Sequence, residues 1–363
     1  MRKLVTIRKV SSIDPIEGAD FIEKATVDGW QCVVKKGEFA IGDLAVYFEV
    51  DSFLPIQDRY EFLRKSSYRN PKVGEEGFRL RTVKLRKTLS QGLLMPIDEF
   101  PELTSAMEGN NGLTDGTDIM DITDILGVKK WDPPLPAFLA GKAKGYLPEF
   151  VPKTDEERIQ NMMDLFSTHK NVHYEATEKI DGTSMSVYYN PAAEVSFGVC
   201  SRRLELERNE ESAYWKLALE IGLENTLTAY QRPLVLQGEM AGPGIQKNPL
   251  KLEKITFFVF NIVDILKGTY LGPLTRRFVF RDLKELSPLL EHTPIIEYAE
   301  DFQPFETYPT LKELLKASER PSLLNPNVPL EGIVYKGVDP DYCAFNQVSF
   351  KVLNNQLLID EEG

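Results

Sequence analysis

Apolar and polar positions alternate through roughly the first 125 residues. Segments 4–10 (LVTIRKV), 21–36 (FIEKATVDGWQCVVKK), 43–51 (DLAVYFEVD), 78–87 (FRLRTVKLRK) and 91–97 (QGLLMPI) read as short strands, with Asp28 and Gly29 supplying a hairpin turn inside the second. The period changes at 154–166 (TDEERIQNMMDLF). Thr154 stands there as an N-cap before three acidic residues, and Ile159, Met162, Met163 and Phe166 fall on one helical face, which predicts a helix. From Tyr174 onward strand patterns dominate: 183–190, 194–202, 232–240, 255–265, 331–337 and 347–353. Helical spacing intervenes at 211–230, 276–288 and 310–319.

Five or so short strands, with the Gly-punctuated connection 37–43 (GEFAIGD), predict a small β-barrel at the N-terminus. An OB fold suits this pattern, and an SH3-like barrel is the alternative. Residues 127–152 are rich in Pro and Gly and hold no sustained period, which predicts a linker between domains at 1–126 and 153–363. Antiparallel-type strands with interspersed helices make the larger domain, and the chain as a whole, α+β.

At 363 residues, with 42% hydrophobic and 27% charged, the chain has material for two or three cores and is not a disordered polymer. No window approaches the ~18 apolar residues of a membrane span. The first ten residues, MRKLVTIRKV, return to charge too soon for a signal peptide, so the expected setting is intracellular, cytoplasmic and without a membrane partner. Cys32, Cys200 and Cys343 are odd in number and far apart, and with His169, His173 and His292 they form no zinc spacing; disulfides and zinc are not expected. A formal charge of −12 speaks against a nucleic-acid partner. Divided at residue 130, the chain holds 19 Lys/Arg against 21 Asp/Glu before it and 24 against 34 after it, so neither part is basic. Locally, however, residues 59–87 place ten basic side chains (Arg59, Arg64, Lys65, Arg69, Lys72, Arg79, Arg81, Lys84, Arg86, Lys87) against Glu61, Glu75 and Glu76. Such a patch is either a solvated, charge-protected edge or a phosphate-binding surface.

The sharpest local signal is EKIDG at 178–182, between two strand patterns. Alone, Lys-x-Asp-Gly is more often an exposed turn than a site. Five further segments follow it in order: CSRR at 200–203, QGEM with Glu239, FFVFNI with Phe260, EGIVYK with Glu331 and Lys336, and SFK with Lys351. Glu239 and Glu331 lie in apolar strand contexts, where a carboxylate needs a partner, whereas Asp181 also fits a turn former. A phenylalanine in FFVFNI is by default a core residue.

In this order the six segments resemble the covalent nucleotidyltransferases, the superfamily of ATP-dependent DNA ligases, RNA ligases and messenger-RNA capping enzymes. The arrangement is most similar to the fifth RNA ligase family, in which an OB module precedes the nucleotidyltransferase domain; segments 79–96 (RLRTVKLRKTLSQGLLMP) and 152–161 (PKTDEERIQN) also look like that family. DNA ligases and capping enzymes carry an OB domain after the last motif, and twelve residues after Lys351 leave no room for one. The resemblance implies ATP as cofactor, with AMP carried covalently on Lys179, and RNA as partner, as a nicked duplex or broken strand ends. It implies that Asp181, Glu239 and Glu331 hold Mg2+ or Mn2+, through the ion's waters in the case of magnesium. Phe260 would stack on adenine, with Phe257 and Phe258 as alternatives, and Arg202 would contact ribose or phosphate, with Arg203 as the alternative. Glu178 would belong to the nucleotide site, and Lys336 and Lys351 would bind the α-phosphate and assist catalysis. Many relatives carry two lysines one residue apart in the last motif; here Ser349 and Leu353 flank Lys351. A lysine attacks phosphorus only as the neutral amine, and the expected source of neutrality is nearby positive charge from the metal and Lys351. The rival expectations are a DNA ligase and a nucleic-acid-binding protein without activity.

Overall fold

A computed structural model describes residues 3–70, 76–103, 120–132, 142–338 and 348–357. Lys72, Glu75 and Cys343 lie outside them. Backbone contacts divide the chain into two units, Met1–Pro134 with Gln160–Asp164 and Gln356–Gly363, and Leu135–Ile159 with Leu165–Asn355.

In the first unit every strand pattern read from the sequence forms a strand. Val5–Lys9 pairs antiparallel with Leu44–Phe48, which also takes Leu93–Pro96. Ile22–Val27 and Trp30–Lys35 form the hairpin, with Asp28 (φ 44°) and Gly29 (φ 78°) both in the left-handed region that a two-residue turn of this hand requires. Alternation does its expected work there, because Trp30, Cys32 and Val34 are buried while Gln31 and Val33 are half-buried. Segment 78–87 divides between two sheets: Gly77–Arg79 pairs with Ser52–Leu54, and Thr82–Leu85 pairs with Thr88–Gln91. One core gathers Val5, Ile7, Phe48, Tyr60 and Phe78, and a second gathers Trp30, Cys32, Val34 and Tyr47.

Both described ends of the expected linker at 127–152 are paired. Lys129–Lys130 joins Ser52–Leu54, and Ala143–Tyr146 joins Leu204–Leu206; residues 133–141 lie outside the described set. Trp131 packs on Phe53 at 5.1 Å between ring centroids, an anchor that a reading of Pro and Gly content passes over.

The helix expected at 154–166 does not form. Glu157–Arg158 is instead a strand, parallel to Ser349–Leu353, followed by a 3-10 turn at Ile159–Asn161 and a single helical turn at Leu165–Thr168. Ile159 is fully buried, whereas Met162 and Met163 are only half-buried, so the apolar stripe is not used as a stripe. Strand pairing with a segment far away in sequence has overridden local helical propensity.

The second unit is built on two sheets. The larger carries, in spatial order, Ala143–Tyr146, Leu204–Leu206, Phe197–Cys200, Thr183–Tyr189, Leu234–Ala241, Thr256–Asp264 and Thr269–Tyr270. Helices Ala213–Glu220, Leu223–Tyr230 and Pro273–Leu286 bury Trp215, Leu227 and Val279 in one core with Val187, Leu236 and Phe257 of that sheet. The smaller sheet runs Glu157–Arg158, Ser349–Leu353, Gly332–Gly337, Tyr174–Glu178, Ile295–Glu297. Facing strands of the two sheets wall a cavity of about 290 Å3. Among the described residues no helix is long and apolar enough to cross a membrane.

Candidate active site

Lys179 follows directly on the strand Tyr174–Glu178, and its backbone N–H donates to Gly332 O at 2.9 Å, which ties it to the strand carrying Lys336. The chain then turns tightly against the strand Leu234–Ala241. A Cβ at Gly182 would lie 2.4 Å from Met240 O and 3.1 Å from Glu239 Cγ, so only glycine lets Asp181 and the following strand approach Glu239 this closely. The Lys179 Nζ lies 2.6 Å from both oxygens of Glu331, 152 residues away. Burial alone would lower the amine's proton affinity; Glu331, Glu239 and Asp181 outweigh it and hold the amine above its usual value. With these acids around it the amine is favoured as the ammonium, so the neutral form expected of the nucleophile depends on the positive charge of the metal and Lys351. Three carboxylates surround the ammonium, and Lys351, the cation invoked to neutralise it, is not among its principal influences.

That excess of negative charge is felt by Glu239. Burial pushes its carboxyl up to about 8, Lys179 opposes the rise, and Glu331 and Asp181 add to it. Three acidic side chains around one amine, one of them with its proton affinity raised by burial, form a set that a divalent cation would complete.

Seven of the nine expected site residues line the cavity: Glu178, Lys179, Arg202, Glu239, Phe260, Lys336 and Lys351. Asp181 and Glu331 act on Lys179 from beside it. The structure separates the aromatic alternatives. Gln237 pairs with Asn261 and Gly238 with Val259, so Phe260 is the extra residue of a β-bulge and turns into the cavity. Phe257 and Phe258 are buried in two apolar clusters. Arg202 lines the cavity, paired with Asp155, and Arg203 does not. The Glu178 carboxylate is already engaged, accepting from Ser322 Oγ at 2.5 Å and Leu323 N–H at 2.8 Å; burial raises its pKa and these donors oppose the rise.

Lys336 is buried beneath the cavity, where its Nζ donates to Phe260 O at 2.6 Å and Asn261 Oδ1 at 2.7 Å and stands 5.2 Å from the Phe260 ring centroid. Burial, with Arg276 adding to it, lowers this amine to about 7. Arg276 in turn forms a buried ion pair with Glu175 and donates to His292 Nε2 at 3.2 Å. Since the folded amine releases its proton near 7 and the unfolded one near 10.5, the folded state carries fewer protons in that window, and stability rises with pH there and is lost as pH falls through 7. Lys336→Met should remove this slope. Urea unfolding of both proteins from pH 6.5 to 10 checks it, and parallel pH profiles would refute it.

Reasoning from the sequence missed Asp155, Glu156 and Gln246 in the cavity wall. Asp155 and Glu156 read in the sequence as acidic residues opening a helix and as part of the 152–161 resemblance, not as site residues, and no property of Gln246 in the linear sequence marks it.

Comparison with known proteins agrees with this geometry. An OB-fold domain family matches residues 4–97, and the RNA ligase family matches residues 172–353. The chain belongs to the RNA ligase family. Among solved structures, Naegleria gruberi RNA ligase with pyrophosphate is 39% identical over 100% of this chain and 99% of its own, with a TM-score of 0.78. A Lys→Met variant of that ligase with AMP and Mn is 39% identical over 100% of both chains at a TM-score of 0.80. A Lys→Ala variant with ATP and Mn is 38% identical over 99% of this chain and 98% of its own at 0.76. Comparison with curated protein sequences gives no match. The family assignment accounts for the α+β architecture of an OB-fold domain followed by a nucleotidyltransferase domain, and it makes RNA the substrate class of this ligase.

Proposed function

We propose that this ATP-dependent RNA ligase joins 3′-hydroxyl and 5′-phosphate ends through three transfers in one pocket, with Lys179 as the nucleophile. The observation that carries the reading is the Lys179 Nζ, 2.6 Å from both Glu331 oxygens beside a cavity lined by Glu239, Phe260, Lys336 and Lys351. Asp181, Glu239 and Glu331 hold the divalent cation, Mg2+ or Mn2+. When bound, it supplies positive charge to these carboxylates and to the phosphates. With the carboxylate charge compensated, the amine gives up its proton more easily.

In the first transfer the neutral Nζ attacks the α-phosphorus of ATP; an N–P bond forms and the P–O bond to pyrophosphate breaks. Lys336 and Lys351 compensate charge on the α-phosphate and leaving group, Arg202 contacts the ribose or a phosphate oxygen, and Phe260 stacks on adenine. Glu178 shapes this nucleotide site. In the second transfer an oxygen of the RNA 5′-phosphate takes the adenylate, the N–P bond breaks and Lys179 regains its proton. In the third the 3′-hydroxyl attacks the activated 5′-phosphorus, loses its proton and expels AMP. Positioning and charge compensation serve all three.

The OB-fold domain grips the RNA through part of the basic stretch 59–87, and catalysis falls to the domain beginning near residue 153. Arg59, Arg64 and Arg79 are paired with Glu102, Glu61 and Asp51, whereas Lys65, Arg81, Arg86 and Lys87 are exposed. Arg86 (φ 49°) and Lys87 (φ 64°) form the tip of a hairpin in a backbone conformation normally left to Asn and Gly, which supports a functional reason for two cations there. We place the reaction inside the cell, a setting that suits the unpaired, buried Cys32 and Cys200.

Incubation with α-labelled ATP and Mg2+ should leave a covalent label on the protein that survives denaturing electrophoresis and is stable to alkali but released by hot acid, as a lysine N–P bond is, and nicks with RNA on the 3′-hydroxyl side should be sealed faster than DNA nicks. Absence of the adduct would favour a mere nucleic-acid binder, and equal sealing a DNA ligase. Phe260→Ala should weaken ATP binding by about 1–3 kcal/mol through lost stacking, and Phe260→Leu by less. Calorimetric titration with ATP reads both, and unchanged affinity in the alanine variant would remove the stacking role.

A further inference from the structure

The segment between strands Leu234–Ala241 and Thr256–Asp264 carries Lys247, Lys251 and Lys254, all exposed, against one carboxylate, Glu253. It runs against its surroundings, because residues beyond 130 hold 24 basic against 34 acidic side chains. No salt bridge neutralises any of the three lysines among the described residues. Its backbone is held in an unusual form. Gln246 (φ 48°), Asn248 (φ 48°) and Lys251 (φ 54°) occupy the left-handed region, as do Gly242 (φ 139°) and Gly244 (φ 81°). A Cβ at Gly242 would meet Lys254 O at 2.5 Å, so the two ends of the loop close on each other.

Specific contacts keep that shape. The Asn248 side chain accepts from Leu252 N–H at 3.0 Å and donates to Leu252 O at 2.9 Å, and Asn325 donates to Leu250 O at 3.1 Å. Leu250 is buried with Ile180 and Phe258. Gln246 lines the cavity and donates to Gly182 O at 3.2 Å, in the turn that follows Lys179. A solvated basic loop is common, but one locked in left-handed conformations and fastened to the nucleophile's own turn is not, and strain of this kind collects at functional segments.

We propose that loop 242–255 is an RNA-binding surface, its three lysines contacting backbone phosphates of the strand whose 5′ end enters the cavity. The proposal rests on the RNA ligase reading. Phosphates are the partner because the loop borders the cavity assigned to phosphoryl transfer, and contacts to them carry no sequence preference.

The test uses the full chain with Lys247, Lys251 and Lys254 all changed to Gln, beside a second variant with all three changed to Arg. Binding to a nicked RNA duplex with an adenylylated 5′ end is measured from about 50 to 200 mM KCl. In the glutamine variant the slope of log affinity against log salt should become shallower by about two, at roughly 0.7–0.9 per phosphate contact. The arginine variant should restore the slope, and self-adenylylation, which needs no RNA, should proceed at the same rate in all three proteins. An unchanged slope in the glutamine variant would overturn the proposal, as would failure of arginine to restore it, which would assign the effect to loop shape or lysine geometry. Failure of the unaltered protein to form its adenylate would instead sink the ligase reading and this proposal with it.

Discussion

Lys179→Met will form no adenylate on the protein while remaining folded. Methionine nearly matches the length of the lysine stem but offers no nucleophilic nitrogen, and the expected loss is at least about 10^4-fold, the scale seen when a covalent nucleophile is removed. The same variant should still seal RNA already adenylylated at its 5′ end, because in that last transfer the attacking group is the 3′-hydroxyl and Lys179 forms no bond. α-Labelled ATP with denaturing electrophoresis reads the first result, and sealing of a pre-adenylylated nick reads the second. Labelling at the normal rate would mean that another residue is the nucleophile. Loss of both activities with intact folding would mean that the ammonium also organises Glu331, Glu239 and Asp181, the three acids that raise its proton affinity.

Glu331→Gln sets two effects against each other. Glu331 is the strongest single influence holding the proton on Lys179, through contacts of 2.6 Å from both its oxygens, so removing its charge makes the neutral nucleophile easier to reach. It is also one of the three carboxylates assigned to the divalent cation and the group that aims the amine. Loss of a partner one shell further out typically costs 10–100-fold, so the net expectation is a fall in self-adenylylation of more than about 100-fold. The rising limb of the pH–rate profile should nevertheless move to lower pH, because a less basic amine loses its proton earlier. Rates measured from pH 6 to 9.5 at saturating Mg2+ give both numbers. A variant faster than the unaltered protein across that range would show that Glu331 serves only to restrain the amine.

Much of the site is legible in the linear chain because its chemistry is concentrated in short strands and turns. The order of EKIDG, SRR, QGEM, FFVFNI, EGIVYK and SFK brings seven of nine expected residues to one cavity wall and the other two beside it. What stays hidden depends on partners remote in sequence. Phe257, Phe258 and Phe260 are chemically identical within one strand, and only a bulge, defined by the register against Leu234–Ala241, turns the third away from the core. The segment 154–166 fails as a helix for a similar reason, since its strand partner lies near residue 350.

Residue types and their order determined, without any coordinates, that this chain places a lysine, three carboxylates, an aromatic strand and two further lysines on a strand-rich domain that follows an OB-fold domain in the sequence. Periodicity states which face of an element is apolar and says nothing about what will stand opposite it. Proton affinity was therefore decided only in three dimensions: that of Lys179 is raised because Glu331 folds back onto it, and Lys336 falls to about 7 because it is buried with Arg276 nearby. A side chain's proton affinity is set by the dielectric and the charges within a few ångströms, and those neighbours are assembled from distant parts of the sequence only when the sheets close around the cavity.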